Sequence, residues 1–135
     1  MHKGQRKYTV KRSAAGLGLY ATEPIKQGEF IIEYIGERIT AQEAAQRKTR
    51  YLFEIDERHT IDGATRKNIA RYVNHFCNPN VEAEIEDGEI HLSALRDIKA
   101  GEELGFDYGE EYFNEFIKPY GCKCPSCRKK KEKTA

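Results

Sequence analysis

Apolar and polar positions alternate along this chain in short bursts, each cut off by a glycine or a few polar turn residues. The pattern predicts strands at residues 8–11, 19–21, 51–56 and 59–62, the last two flanking an Asp-Glu-Arg turn. Residues 29–35 form an apolar, β-branched run that reads as a buried strand, entered through Pro24 and the turn Lys26-Gln27-Gly28. Residues 83–86 and 89–95 flank Asp87-Gly88 and predict a hairpin. A turn through Gly101 leads into a last strand at 104–108. One segment breaks the rule. Residues 40–48 are rich in alanine and long polar side chains, and Thr40 with Glu43 three positions on makes a capping box. The expectation is a mainly β, β-rich α+β, single domain with one exposed helix.

Length supports that picture: 135 residues suit one domain, and such a chain buries about two-thirds of the surface it exposes unfolded. The net charge of +1 argues against a dedicated nucleic-acid binder. The one strongly basic stretch, Arg128-Lys-Lys-Lys-Glu-Lys133, reads first as a solvated tail and is the only segment suited to a nucleic-acid contact. No stretch approaches the ~20 apolar residues of a membrane span. The basic start Met1-His-Lys-Gly-Gln-Arg-Lys7 is not followed by the apolar core of a signal peptide, so a soluble, unprocessed chain is expected.

The candidate chemistry begins with sulfur. Cys77 stands alone beyond an Asn-His pair, whereas Cys122, Cys124 and Cys127 lie together near the end. This spacing suits a metal site that folds the tail back onto the middle of the chain. Cys122 and Cys124 are too close for an easy mutual disulfide, and the usage fits a reducing compartment. The plain alternative is four unligated thiols. The Gly16-Leu17-Gly18 segment offers backbone that can approach a ligand closely. No helix follows it, so it is no dinucleotide fingerprint, and a plain turn explains it equally well. Asn74-His75 supplies hydrogen-bonding groups for a polar cofactor, although a lone histidine is more often structural. Eight tyrosines and no tryptophan leave room for a tyrosine-walled pocket. Tyr20, Tyr34, Tyr51, Tyr72, Tyr108 and Tyr112 are the wall candidates, and such walls attract cations.

Taken in order, these segments resemble the SET-domain protein lysine methyltransferases. The match runs through Gly16-Leu17-Gly18, Glu33-Tyr34-Ile35-Gly36-Glu37, Tyr51-Leu-Phe-Glu-Ile-Asp56, Arg71-Tyr-Val-Asn-His-Phe-Cys-Asn-Pro-Asn80, Gly101-Glu-Glu-Leu-Gly-Phe-Asp-Tyr108 and the cysteine tail. The resemblance implies a SET fold of several short curved sheets, a knot-like crossing near the C-terminus and a zinc-bound post-SET tail. It implies S-adenosylmethionine (SAM) against Gly16, Leu17 and Gly18, with Arg71, Tyr72, Asn74 and His75 completing the pocket. Tyr108 then stands at the methyl-transfer centre, and Tyr34, Tyr51 and Phe106 line the substrate channel. Cys77, Cys122, Cys124 and Cys127 together hold one zinc. The implied division is a basic lead over 1–7, the SET domain over 8–113, the post-SET segment over 114–128 and a basic tail over 129–135. Three departures stand out: Phe76 where the family usually has Ser, Gly105 where it often has Thr, and a last cysteine gap of two residues instead of four. With no cysteine-rich segment before residue 8, the chain is similar to minimal, free-standing bacterial or viral versions.

The implied reaction is in-line attack of a neutral lysine amine on the sulfonium methyl. The free amine has a pKa of about 10.4, so a dry channel and a nearby cation must lower it. Tyr108 is expected to align the amine, not to act as base, because a phenol of pKa about 10 keeps its proton at neutral pH. Phe106 leaves more room than Tyr would, which predicts di- or trimethylation. The implied partner is a lysine-bearing protein, a histone or another basic chain, and the enzyme is expected as monomer or homodimer. The location follows the substrate: bacterial cytoplasm, nucleus or, for a secreted effector, a host. The rival reading is an inactive, zinc-stabilised module that binds peptide or nucleic acid.

Overall fold

The computed structural model describes residues 6–14, 16–47, 49, 51–109 and 112–127, with backbone alone at 115, 116 and 120. Residues 1–5 of the basic lead, Lys48 of the expected helix and the basic tail from Arg128 lie outside the described residues.

The alternating pattern is realised as three small sheets. The first holds β1 (Tyr8–Ser13), β2 (Gly16–Ala21), β10 (Glu103–Phe106) and β7 (Asn74–His75), in that order. The second orders β3 (Phe30–Tyr34), β9 (Glu89–Ala94) and β8 (Val81–Glu86), and the third β4 (Glu37–Thr40), β6 (His59–Asp62) and β5 (Leu52–Glu54). The mainly β expectation holds. Sheets this short have little face to bury individually, so they share one core. Leu19, Ile25, Ile90, Leu92, Ile98 and Leu104 are fully buried at its centre. Among the described residues no helix is long and apolar enough to cross a membrane.

The helix α1 (Ala41–Gln46) carries both halves of its capping box: the Glu43 amide donates to Thr40 Oγ1 and the Thr40 amide to Glu43 Oε1. None of its residues is buried. Arg47, just past its end, reaches Glu37 at 2.9 Å and Asp62 at 2.7 Å and so ties the helix to β4 and β6.

Several boundaries differ from the sequence reading. Gly16-Leu17-Gly18 is not a loop but the first half of β2, paired with Arg12 and Lys11 of β1. Strands β4 and β7 were not anticipated: β4 carries a single apolar residue, Ile39, and β7 has only two residues. The last strand stops at Phe106, not Tyr108, because the Tyr108 amide donates to the side chain of His75 and leaves the ladder.

Two features of β10 set up the site. It runs antiparallel to β2 and parallel to β7, with Gly105 opposite Asn74 and Phe106 opposite His75. Beyond this parallel pair, the fully buried Asn80 donates to the Glu103 carbonyl and accepts from the Gly105 amide, both at 2.9 Å. Its side-chain amide pairs with the strand as a neighbouring backbone would. The departures at 76 and 105 also resolve into one change. A Cβ on Gly105 would lie 2.1 Å from Cγ of Phe76, so the phenylalanine ring fills the space that the missing side chain leaves.

Candidate active site

A cavity of about 950 Å³ opens where the first sheet, the loops before β5 and β8, and the C-terminal segment meet. Its volume suits a drug-sized ligand with room to spare. Gly16, Leu17, Tyr34, Tyr51, Arg71, Tyr72, Asn74, His75, Phe106 and Tyr108, all anticipated, border it, as do Cys122 and Cys124. Gly18, also anticipated, does not border it. A Cβ there would sit 2.5 Å from Glu103 Oε2, so the glycine makes space for that carboxylate. Tyr20, a wall candidate, faces elsewhere. Its hydroxyl donates to the Arg12 carbonyl at 3.3 Å and Lys11 lies over its ring.

One end of the cavity is aromatic. Tyr34 and Phe53 are 5.3 Å apart between ring centres, Phe53 and Phe106 5.9 Å, Phe106 and Tyr108 4.8 Å, and Tyr108 and Tyr112 4.9 Å. These spacings are those of favourable ring pairs. The row is held from outside. Tyr34 donates its hydroxyl to the Tyr51 carbonyl at 2.8 Å, and burial pushes that phenol's pKa well up. Gly63 packs flat on Tyr34, since a Cβ there would lie 2.4 Å from the ring. Asn68, fully buried, takes the Ile35 amide and donates to the Gly63 carbonyl, each at 3.1 Å. Tyr108 donates its hydroxyl to the Val73 carbonyl.

The other end is polar. The Asn74 amide nitrogen lies 2.9 Å from the Leu17 carbonyl, 2.9 Å from Glu103 Oε2 and 3.3 Å from Ser13 Oγ. Three acceptors around one nitrogen orient the side chain and turn its oxygen the other way. Arg71 belongs instead with the aromatic end. Its guanidinium lies 4.2 Å above the Tyr51 ring and donates to the Ala64 carbonyl. Arg71 Nε is buried without a hydrogen-bond partner among the described residues, so stacking holds this side chain as much as hydrogen bonding does.

His75 is buried beside both ends. Its Nδ1 accepts from the Tyr108 amide at 3.1 Å, and its ring lies against Tyr108 and Phe113. Burial lowers its pKa and outweighs the pull of the Asp107 carboxylate; the Nδ1 that accepts from the Tyr108 amide carries no proton, which makes the ring the neutral form. Anticipated as a cofactor contact, its side chain is engaged by the protein itself.

The four thiols converge, Cys77 meeting three that lie 45 to 50 residues further along the chain. Cys77 Sγ lies 3.8 Å from that of Cys122 and 3.6 Å from that of Cys127, and all four sulfurs lie within 4.8 Å of one another. A tetrahedron with Zn–S bonds of about 2.3 Å has S···S edges of about 3.8 Å, so the donors fit a four-thiolate zinc site despite the short last gap. As thiols they divide. Burial, then S–H contacts with the other cysteines, pushes Cys77 well up, and burial raises Cys122 to about 11. Burial pushes Cys124 upward too, but hydrogen bonds led by the Ser126 hydroxyl outweigh it and lower that thiol to about 6.

Phe53, Asn68, Asn80 and Glu103 were missed as site residues. Phe53 and Glu103 stood inside quoted motifs. So did Asn80, at the end of the Arg71–Asn80 motif, whereas Asn68 carried no signal, since a buried asparagine reads in sequence like a turn residue.

The SET domain family matches residues 16–109. The chain belongs to the SET-domain family. It is 41% identical over 142 aligned positions to the histone-lysine N-methyltransferase, H3 lysine-4 specific, of Candida albicans, covering 93% of this chain and 14% of that protein. It is 38% identical to histone-lysine N-methyltransferase trr of Drosophila melanogaster, covering 90% of this chain and 6% of that one. Histone-lysine N-methyltransferase EZH2 of Chaetomium thermophilum is 40% identical over 75% of this chain and 8% of its own length. This SET-domain chain thus spans about a seventh or less of these relatives.

Proposed function

We propose that this chain is a SAM-dependent protein-lysine N-methyltransferase, with 8–113 as its catalytic domain and 114–128 as a zinc-bound post-SET segment. The observation that carries the reading is one cavity with Tyr108 at the join between an aromatic row and the polar Asn74 corner. When bound, SAM supplies an electrophilic methyl group on a sulfonium. Gly16, Leu17, Tyr72 and Asn74 hold that molecule at the polar end, where the Asn74 oxygen faces away from its three acceptors and is available to an ammonium. Tyr34, Phe53, Phe106 and Tyr108 sheath the substrate lysine, exclude water and so lower the pKa of its amine. The Tyr108 proton is engaged by the Val73 carbonyl, which supports alignment over base catalysis, since the oxygen then offers lone pairs to the incoming amine.

Phe106 touches Phe53 and Tyr108 and carries no polar group to hold the amine, which supports addition of more than one methyl. The relatives' names make a histone tail the first candidate substrate and the nucleus the matching location; other basic proteins come next.

The test is a labelled-methyl transfer assay on histones and cell extract, beside a melting shift with SAM. Tyr108→Phe is expected to cost about 10²–10³ in rate while the shift with SAM is kept. Phe106→Tyr is expected to move the product toward monomethyl-lysine by mass spectrometry. A protein that shows no shift with SAM and transfers no methyl overturns the reading and leaves the binding module in its place.

A further inference from the structure

We propose that His75 is a positioning residue whose imidazole joins the cysteine cluster to Tyr108, so that metal binding in the tail is felt at the Tyr108 backbone. The inference rests on the zinc reading of the four thiols and adds a route from that centre to the cavity.

The argument is one of proton placement. Nδ1 lies 3.1 Å from the Tyr108 amide nitrogen, which is a donor. A ring nitrogen that accepts a hydrogen bond carries no proton, so the single proton of the neutral ring sits on Nε2. Nε2 lies 3.5 Å from Cys77 Sγ. That sulfur is also 3.8 Å and 3.6 Å from those of Cys122 and Cys127. The ring therefore donates to a ligand sulfur on one side and accepts from the Tyr108 backbone on the other. Asp107 does not compete for Nδ1: its Oδ1 is 3.7 Å away, beyond hydrogen-bond reach, and accepts from the Gly109 amide at 2.9 Å.

Position is fixed as well as protonation. The ring is buried and packed between Tyr108 and Phe113, with centres 5.6 Å and 5.1 Å away. Phe113 opens the π-helical turn Phe113–Ile117 that leads to the three tail cysteines. An N–H···S bond to a ligating thiolate spreads its negative charge and orients it, which is what outer-sphere partners do for metal ligands. The same bond fixes the ring that receives the Tyr108 amide, and β10 ends there for that reason. Ordering the tail thus fixes Tyr108 through a chain of two hydrogen bonds.

The test uses the full chain, loaded with Co(II) for the thiolate charge-transfer bands that report on the sulfur and with diamagnetic Zn(II) for amide and imidazole nitrogen NMR. In the metal-loaded wild type, imidazole ¹⁵N shifts are expected to place the proton on Nε2. The Tyr108 amide resonance is expected to move between stripped and loaded protein. His75→Phe keeps a ring in the packing and removes both hydrogen bonds. It is expected to bind Co(II) about tenfold more weakly, with shifted charge-transfer bands and a Tyr108 amide that no longer responds to metal. His75→Gln, which can accept and donate, is expected to restore most of each. A proton on Nδ1 in the loaded wild type overturns the proposal, whether or not the Phe variant folds. So does a His75→Phe protein with wild-type cobalt affinity and bands. A wild type that binds Co(II) without thiolate bands also overturns it, by removing the zinc reading. If the coupling is present but no melting shift with SAM occurs, the inference stands and the methyltransferase reading alone fails.

Discussion

The two walls of this cavity are made rigid by different means. The aromatic wall stands on strands whose inner faces form the core: Tyr34 ends β3, Phe53 sits in β5 and Phe106 ends β10, and Tyr34 and Phe106 are buried. Among its described side chains the tail wall has almost no core of its own. Of the described residues from 112 to 127 only Cys124 is buried, and the segment meets the rest through Tyr112 on Tyr108, Phe113 on His75 and the sulfurs on Cys77. One wall inherits its order from the global fold; under the zinc reading proposed above, the other acquires it locally from a ligand set, which separates stability from assembly of the site.

Removing the metal breaks the comparison hardest. Chelation is expected to abolish turnover, by at least about 100-fold, because loss of the tail displaces groups that align the reacting atoms. The main melting transition and the near-ultraviolet tyrosine signal of the core should persist. A single cooperative loss of both on chelation would show that the walls are one unit.

The converse change strikes the core side. Gly105→Thr drives a side chain into the Phe76 ring and is expected to cost about 3 kcal/mol, a drop of roughly 10 °C in melting temperature. Adding Phe76→Ser should return most of it, since it vacates the same space, with the affinity of the thiols for metal unchanged throughout. A double variant no more stable than the single one would show that the two positions are independent.

Glu103→Gln sharpens the contrast within the cavity. It removes a charge-assisted bond to Asn74 and is expected to weaken SAM binding about tenfold by calorimetry. The KM for a lysine peptide should hold, because the aromatic row does not touch Glu103. Equal losses for both ligands would mean that the polar and aromatic ends are not separable.

The smallest effect lies outside both walls. The His91 pKa is raised, first by its hydrogen bond to Glu89, 3.0 Å away, and then by the charges of Glu86 and Glu89. A raised histidine stabilises below its unfolded value of about 6.5 and loses that contribution as pH climbs through the folded value. Between about pH 6 and pH 8 the wild type should therefore lose a slight melting advantage over His91→Gln, well under that of a buried pair because both carboxylate partners are exposed.

Much of this was legible in advance where chemistry and spacing coincide. The cysteine pattern specified a four-thiol cluster because thiolates at those intervals have few other uses, and the capping box at Thr40 and Glu43 specified the helix start because both its bonds are local. The strands expected at 8–11, 59–62, 83–86 and 89–95 followed from alternation and are found at 8–13, 59–62, 81–86 and 89–94. What remained hidden depends on partners remote in sequence. Nothing local shows that Phe76 and Gly105 are one packing unit, that the Asn80 side chain stands in for a strand, or that β10 ends where His75 captures an amide.

The sequence by itself determined the family, the β-rich class, the thiol cluster and the identity of the residues around the cavity, since these depend on residue type and order along the chain. Only the tertiary structure decided which end of the cavity Arg71 lies at, that Tyr20 stands outside it, and that the His75 ring meets Tyr108, Phe113 and Cys77. Those outcomes hinge on hydrogen-bond direction and ring contact between segments tens of residues apart, and a one-dimensional pattern carries neither.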